Sequence, residues 1–223
     1  MREIVLDTET TGLDPQSGDR IVEIGCLELL NHVPTGRHFH TYLNPDRPMP
    51  AEAFAVHGLS DEHLKDKPRF AAVVEAFLTF LGESPLVIHN AAFDLGFINA
   101  ELGRLGLTAL PAQRAIDTVH LARKAYPGLP ANLDALCRRF QIDTSARTQH
   151  GALTDAKLLA EVYLQLKGGR QPGLALVSSR GAKGTAGPRP ERTPRLLVPT
   201  AAEEAAHKTL IGRLKDPLWG RLR

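Results

Sequence analysis

The first ten residues constrain the fold more than any other stretch of the chain. Ile4, Val5 and Leu6 are consecutive bulky apolar residues, which predicts a buried β-strand. Asp7 and Glu9 follow, and strand side chains two residues apart point to the same face. Two neighbouring carboxylates repel each other unless a cation lies between them, and an all-oxygen ligand set favours Mg²⁺ or Mn²⁺. An isolated pair of this kind is more often a solvated strand end, so the rest of the chain decides between the two interpretations.

Composition limits the class of protein. A chain of 223 residues with 43% hydrophobic residues is long enough for one domain with an appendage. No apolar run approaches the roughly 18 residues that a membrane span needs, and the N-terminus lacks the pattern of a signal peptide. Cys26 and Cys137 lie in apolar segments, which predicts reduced core cysteines rather than a disulfide. These features together predict a cytoplasmic protein.

The charges are divided unevenly along the chain. Residues 1–166 contain 15 Lys and Arg against 21 Asp and Glu, whereas residues 167–223 contain 12 against 4. Residues 167–195 are rich in Gly, Pro, Ser, Arg and Lys without apolar periodicity, which predicts a flexible basic linker. Some apolar pattern returns in residues 196–223. We therefore expect an acidic domain (1–166), a linker (167–195) and a short tail (196–223) that acts as a separate functional unit.

The apolar pattern predicts an α/β domain with a mixed sheet. The first strand, a strand over residues 20–30, a turn at residues 34–36 and a strand over residues 38–43 form an antiparallel meander. Strands and helices then alternate. The later elements are a helix at 69–82, a strand at 85–88, a helix capped by Asn90, a strand end at 116–117, and helices at 118–125, 133–140 and 152–166.

Three segments place acidic residues in a characteristic order: VLDTETTGL (5–13), VIHNAAFDLGF (87–97) and HGALTDAKLLAEVY (150–163). They resemble the three motifs of the DEDDh family of 3′–5′ exonucleases. FAVHGLSDE (54–62) and LDALCRRFQID (133–143) resemble the members of that family that proofread for bacterial replicative polymerases. The resemblance covers residues 1–166. It implies a ribonuclease H-like α/β fold, with a central mixed five-stranded sheet flanked by helices and a flexible C-terminal tail.

The resemblance also implies residue roles. Asp7, Glu9, Asp94 and Asp155 correspond to ligands of two Mg²⁺ or Mn²⁺ ions, and His150 corresponds to the general base that activates water. Thr10, Leu13 and His57 correspond to residues that contact the terminal nucleotide. We read Asp117 as a structural acid near the site. The implied reaction is removal of mismatched 3′-terminal nucleotides from single-stranded or frayed DNA ends during replication.

The tail carries two further resemblances. Gln171, Leu174 and Leu176, within residues 171–176, resemble the short peptide by which replication proteins dock on the sliding clamp. RLLVPTAAEEAAH (195–207) and Trp219 resemble the segment that binds the catalytic subunit of the replicative polymerase. A short apolar stretch cannot form its own core, so burial on a partner is the expected role. The alternative is a basic tail that contacts DNA phosphates.

Two other functions are consistent with parts of this pattern. The same catalytic domain serves enzymes that trim RNA 3′ ends, and the linker and apolar tail argue against that interpretation. A non-catalytic clamp- or polymerase-tethering module with an inactive nuclease fold is the third interpretation. The presence of all four acids and His150 argues against it.

Overall fold

A computed structural model describes residues 1–145, 147, 149–169 and 198–214 of the chain. The chain divides into two compact units, Met1–Ala175 and Leu176–Arg223. Over the described residues, no helix is long and apolar enough to cross a membrane. The tail residues predicted to bind partners (Gln171, Leu174, Leu176 and Trp219) lie outside the described residues, and the division into domain, linker and tail stays a prediction.

Five strands form one mixed sheet in the first unit: β1 (Arg2–Thr10), β2 (Ile21–Leu30), β3 (Val33–Tyr42), β4 (Leu86–Ile88) and β5 (Ala115–Asp117). Their order across the sheet is β3-β2-β1-β4-β5. The central strand β1 runs antiparallel to β2 and parallel to β4. The predicted mixed five-stranded sheet flanked by helices is therefore confirmed.

Helices cover both faces of this sheet: α1 (Ala51–His57), α2 (Asp61–Leu64), α3 (Phe70–Leu81), α4 (Ala91–Arg104), α5 (Thr118–Ala125), α6 (Leu133–Phe140) and α7 (Ala152–Leu166). Because strand side chains alternate, Ile4 and Leu6 of β1 pack with α3 and α4 on one face, and Val5 packs with α7 on the other. Helices α5 and α6 pack against α7 in a separate small cluster. In the second unit, α8 (Ala201–Arg213) begins at a reciprocal cap between Thr200 and Glu203.

The hairpin between β2 and β3 differs from the prediction. Its turn lies at Asn31 and His32, which have φ of 51° and 67°, and not at residues 34–36. Positive φ at both central residues is the geometry that suits a two-residue hairpin. Pro34 and Gly36 suggested a turn, but β3 is an edge strand. Proline is tolerated there because an edge strand has a neighbour on one side only, so the N–H that proline lacks need not be paired.

The first turn of α7 lies directly on β2, and Gly25 makes this approach possible. Gly25 pairs with Asp7 across the β1–β2 ladder. A Cβ atom at Gly25 would lie 2.3 Å from the backbone of Ala152 and of Leu153, which is closer than any real contact. At the other end of α7, the hydroxyl of Tyr163 donates a 2.7 Å hydrogen bond to Glu3 on β1. Helix α7 is therefore held on the sheet at both of its ends, on β2 at its first turn and on β1 at its last.

We expect Gly25→Ala to lower the free energy of unfolding by about 1–3 kcal/mol, because the added methyl group pushes the first turn of α7 off the sheet. Urea denaturation measures this change. The matched control is Gly103→Ala on α4, where a Cβ atom meets nothing within 4 Å. That variant should keep or slightly raise stability, since alanine favours a helix. Equal stability of the two variants would show that α7 is not packed in this way.

Candidate active site

Two carboxylates lie at the end of β1, on the face that α7 covers. Asp7 and Glu9 are two residues apart on this strand, as predicted, and therefore share a face. The strand register places Glu23 of β2 directly opposite Glu9. Glu23 is 3% exposed, and one of its carboxylate oxygens lies 2.7 Å from Nε2 of His40. This fifth acid was not among the predicted site residues, because the residue that lies opposite a strand residue depends on the register of the two strands.

Asp94 reaches the same place from α4. The helix starts three residues after the end of the short strand β4, and Asp94 lies in its first turn, as predicted. Its side chain is 3% exposed and accepts a 2.8 Å hydrogen bond from the hydroxyl of Thr8. Because Thr8 lies between Asp7 and Glu9 on β1, this hydrogen bond connects the acid of α4 to the strand that carries the other two.

His150 and Asp155 come from the beginning of α7. Asp155 lies in the first helical turn and is 4% exposed, whereas His150 precedes the helix and its side chain is 46% exposed. Nδ1 of His150 lies 3.1 Å from Oδ2 of Asp155. One ligand atom each from Glu9, His150 and Asp155 lie within 4.8 Å of one another. The close packing of α7 on Gly25 is what brings these side chains to the end of β1.

Arg147 was not among the predicted site residues. Its guanidinium forms a 2.6 Å ion pair with Asp155, and the same nitrogen, Nη2, lies 2.7 Å from Nδ1 of His150. It also pairs with Asp134 in the first turn of α6. Its position three residues before His150 could have suggested a role in the site, but arginines in polar loops are usually exposed to solvent.

Burial and mutual repulsion raise the pKa values of the clustered acids. The pKa of Asp7 lies well above its ordinary value, because its carboxyl is buried and because Asp94, Glu9 and Asp155 repel its negative charge. Burial, together with Asp155 and Glu23, raises the pKa of Glu9 to about 8. Burial also raises the pKa of Asp94 to about 7. The cluster is therefore an unfavourable place for negative charge until a cation is bound.

The side chains fit a divalent cation. Asp155 Oδ1 is buried and accepts no hydrogen bond from any residue that the structure describes. A buried carboxylate oxygen without a donor is costly, and a cation would satisfy it. The atoms around it that could ligate a metal are mainly carboxylate oxygens, which suit Mg²⁺ or Mn²⁺. Asp7, Glu9, Asp94 and Asp155 are therefore the residues that would hold such ions.

Two cavities meet at His57, which is 4% exposed. One, of about 350 Å³, is lined by the predicted substrate residues Thr10, Leu13 and His57, together with Val56 and Phe93. The other, of about 460 Å³, is polar and is lined by His150, Gln149 and Glu23 among others. Burial lowers the pKa of His57, which keeps its imidazole neutral at pH 7.

The cap of α4 differs from the prediction. Asn90 occupies the N-cap position, but it has a left-handed backbone with φ of 64° and its side chain makes no capping hydrogen bond. Asp117 accepts a 3.3 Å hydrogen bond from the backbone N–H of Ala91 instead. Asp117 also caps α5 by accepting from the N–H groups of Val119 and His120. This supports the structural role predicted for Asp117.

The profile of a family described as exonuclease matches residues 4–163. The chain is 49% identical over 222 residues to the DNA polymerase III subunit epsilon of Rickettsia conorii, covering 96% of each sequence. It is 49% identical over 176 residues to the subunit of the same name from Escherichia coli K12, covering 76% of this chain and 72% of that protein.

Solved structures share the fold. A structure of exonuclease X in complex with 5′-overhanging duplex DNA is 26% identical and has a TM-score of 0.59, covering 74% of this chain and 90% of that one. The nuclease domain of 3′hExo, described as a DEDDh family member bound to rAMP, has a TM-score of 0.64 at 18% identity. It covers 74% of this chain and 90% of that chain, and at this identity the similarity concerns the fold alone.

The raised pKa values predict how stability depends on pH in the absence of metal. Between pH 4.5 and about 8, the unfolded chain loses a proton from Glu9 that the folded protein retains, so stability falls as pH rises. We expect Asp94→Asn to raise the free energy of unfolding at pH 8 in EDTA by on the order of 1–2 kcal/mol, because it removes one of the repelling charges. Thermal or urea unfolding from pH 5 to pH 8 measures both effects.

The control for this experiment is Asp66→Asn, a substitution at an exposed turn. It should leave the pH dependence of unfolding unchanged. Saturating Mg²⁺ should restore stability to the wild-type protein at pH 8 and less so to Asp94→Asn. A metal-free protein that becomes more stable from pH 5 to pH 8 would contradict the repulsion described above.

Proposed function

The chain belongs to the exonuclease family and, within it, to the DNA polymerase III epsilon subunits, and we propose that it removes mismatched 3′-terminal nucleotides from DNA during replication. The observation that carries this proposal is the meeting of three distant segments at one end of the sheet. They bring together Asp7, Glu9, Asp94, His150 and Asp155 beside a cavity with apolar walls. Phosphodiester hydrolysis at a chain end needs a cation-binding acid cluster, a base and a place for one nucleotide.

In this proposal the four acids hold two ions, Mg²⁺ or Mn²⁺. When bound, the ions supply positive charge that stabilises the attacking, leaving and phosphoryl oxygens in the transition state. The acids themselves give the ions fixed oxygen ligands on rigid elements: Asp7 and Glu9 on β1, Asp94 on α4 and Asp155 on α7. The raised pKa values of Asp7, Glu9 and Asp94 fall when cations bind, so metal binding releases protons near neutral pH.

His150 takes the proton from the water that attacks the terminal phosphodiester. Its imidazole is half-exposed at the mouth of the polar cavity, where water is available. Among side chains, imidazole is the best matched to proton transfer at neutral pH. Asp155, whose Oδ2 lies 3.1 Å from the ring nitrogen Nδ1, limits how the ring turns.

The cavity beside β1 accommodates the terminal nucleotide. Leu13 is 85% exposed at its rim, and Val56 and Phe93 form the apolar wall against which a base packs. The hydroxyl of Thr10 donates to the backbone carbonyl of Gly12, which fixes the turn that carries Leu13. His57 separates this cavity from the side chain of His150 and contacts the terminal sugar in this proposal.

Preference for mismatched ends follows from the single-strand character of this site. A paired terminus must be unpaired and unstacked before its last base enters a cavity of about 350 Å³. A mismatched terminus needs less free energy for the same step, so it is cleaved faster without any direct recognition of the wrong base.

The tail supplies the protein contacts in this proposal. Residues 196–223, including Trp219, bind the catalytic subunit of the replicative polymerase, and Gln171, Leu174 and Leu176 dock on the sliding clamp. The basic composition of residues 167–195 suits a tether that keeps the exonuclease near the primer end at high local concentration.

We expect His150→Ala to lower kcat for 3′-end cleavage by about 10²–10⁴-fold, because the attacking water loses its base. A 5′-labelled primer annealed to a template, paired or mismatched at its 3′ end, is incubated with Mg²⁺ and resolved on a denaturing gel. The wild-type protein should shorten the primer from its 3′ end, and faster when the end is mismatched. The control His38→Ala, on the exposed edge strand β3, should keep full activity.

Other results separate this function from the alternatives. Trimming of a matched RNA without cleavage of DNA would favour an RNA-processing enzyme. Cleavage that persists in Asp7→Ala would reveal a contaminating nuclease. A wild-type protein that cleaves neither substrate with Mg²⁺ or Mn²⁺ would contradict the proposed function.

A further inference from the structure

Arg147 lies between helix α6 and the acidic residues of the candidate active site. It belongs to the loop between α6 and α7, and its side chain is only 10% exposed. The two terminal nitrogens of its guanidinium point in different directions. Nη1 pairs with Asp134 in the first turn of α6, and Nη2 contacts Asp155 and His150 at 2.6 and 2.7 Å. A single side chain therefore joins α6, the loop and the first turn of α7.

The two oxygens of Asp155 have different environments. Oδ2 accepts the hydrogen bond from Arg147, while Oδ1 is buried and accepts no hydrogen bond from the described part of the chain. A carboxylate held in this way through one oxygen presents the other in a fixed direction. Partners behind a metal ligand commonly orient it in this manner, and their loss weakens metal binding.

The loop has a second point of attachment at Gln149, one residue before the base. Gln149, which precedes His150, packs over Gly58 so closely that a Cβ atom at Gly58 would lie 2.1 Å from its side-chain oxygen. The loop that carries His150 is thus attached at two points, Arg147 and Gln149. Because a guanidinium only donates, its contact with Nδ1 of His150 does not prepare the ring to accept a proton, and Arg147 acts on the base through the loop that carries it.

We propose that Arg147 is a positioning residue of the exonuclease site, which holds Oδ2 of Asp155 so that Oδ1 faces the bound cation and fixes the loop that carries His150. This inference rests on the proposed function of the site. The guanidinium suits the role because it is planar and donates in several fixed directions at once. A lysine in its place keeps the charge but, as a single ammonium group on a flexible stem, cannot reach Asp134 and Asp155 in the same geometry.

We expect metal binding to weaken when the planar guanidinium of Arg147 is lost, whether its positive charge is kept, as in Arg147→Lys, or removed, as in Arg147→Gln. Mn²⁺ is titrated into the full-length, metal-free protein in a calorimeter, for the wild type, Arg147→Lys and Arg147→Gln. We expect both variants to bind Mn²⁺ about 10–100-fold more weakly than the wild type. The matched control is Arg138→Lys, an exposed arginine on α6, which should bind Mn²⁺ like the wild type. Thermal unfolding in EDTA establishes whether each variant is folded. If one of the two Arg147 variants does not fold, the other still tests the inference.

Cleavage provides a second measurement. At saturating Mn²⁺, Arg147→Lys should show a reduced kcat with little change in the KM for the primer, because Arg147 acts through Asp155 and His150 and not on DNA. Mn²⁺ affinity within threefold of the wild type in both variants would overturn the inference. Tighter Mn²⁺ binding by Arg147→Gln would also overturn it, since Arg147 would then be a competitor of the cation. If the wild-type protein neither binds Mn²⁺ nor cleaves DNA, the proposed function itself is wrong, and the inference that rests on it is wrong with it.

Discussion

Mutual repulsion among buried carboxylates is the constraint on which the rest of this structure depends. Asp7, Glu9, Asp94 and Asp155 converge at the end of one strand, where burial and like charge raise the pKa values of the first three. We therefore expect this arrangement to lower the stability of the metal-free fold near neutral pH. A bound cation would attract the same carboxylates that repel one another, so the repulsion that opposes folding would favour metal binding.

Such a cluster persists only if the elements that carry it are fixed from elsewhere. Gly25 lets α7 lie on the sheet, and Tyr163 joins the far end of that helix to Glu3. On the opposite face, both carboxylate oxygens of Glu101 on α4 accept hydrogen bonds from Arg20, at 2.6 and 2.8 Å. A bidentate pair with a carboxylate that is 2% exposed holds α4 firmly. The acids are thus held together by packing and hydrogen bonds some residues away from the charges themselves.

Much of this arrangement was predictable from sequence because its signals are local. A run of apolar residues followed by acids two apart specifies the strand and the shared face, and apolar periodicity specified α3, α4 and α7. Long-range geometry was not predictable. Glu23 meets Glu9 only through the strand register, and Arg147 contacts Asp155 only through the path of a loop. Asn90 follows the usual preference for a cap residue, yet a distant acid, Asp117, accepts the N–H of Ala91 that opens α4.

The most direct test of the central claim is to locate the cations. Crystals of the full-length protein soaked in Mn²⁺ give anomalous scattering that marks each ion independently of any assumption about ligands. The acid cluster predicts two ions between β1, α4 and α7, with oxygens of Asp7, Glu9, Asp94 and Asp155 as ligands. Ions bound elsewhere, or no anomalous signal in this cluster at saturating Mn²⁺, would contradict the assignment of these acids as the metal site.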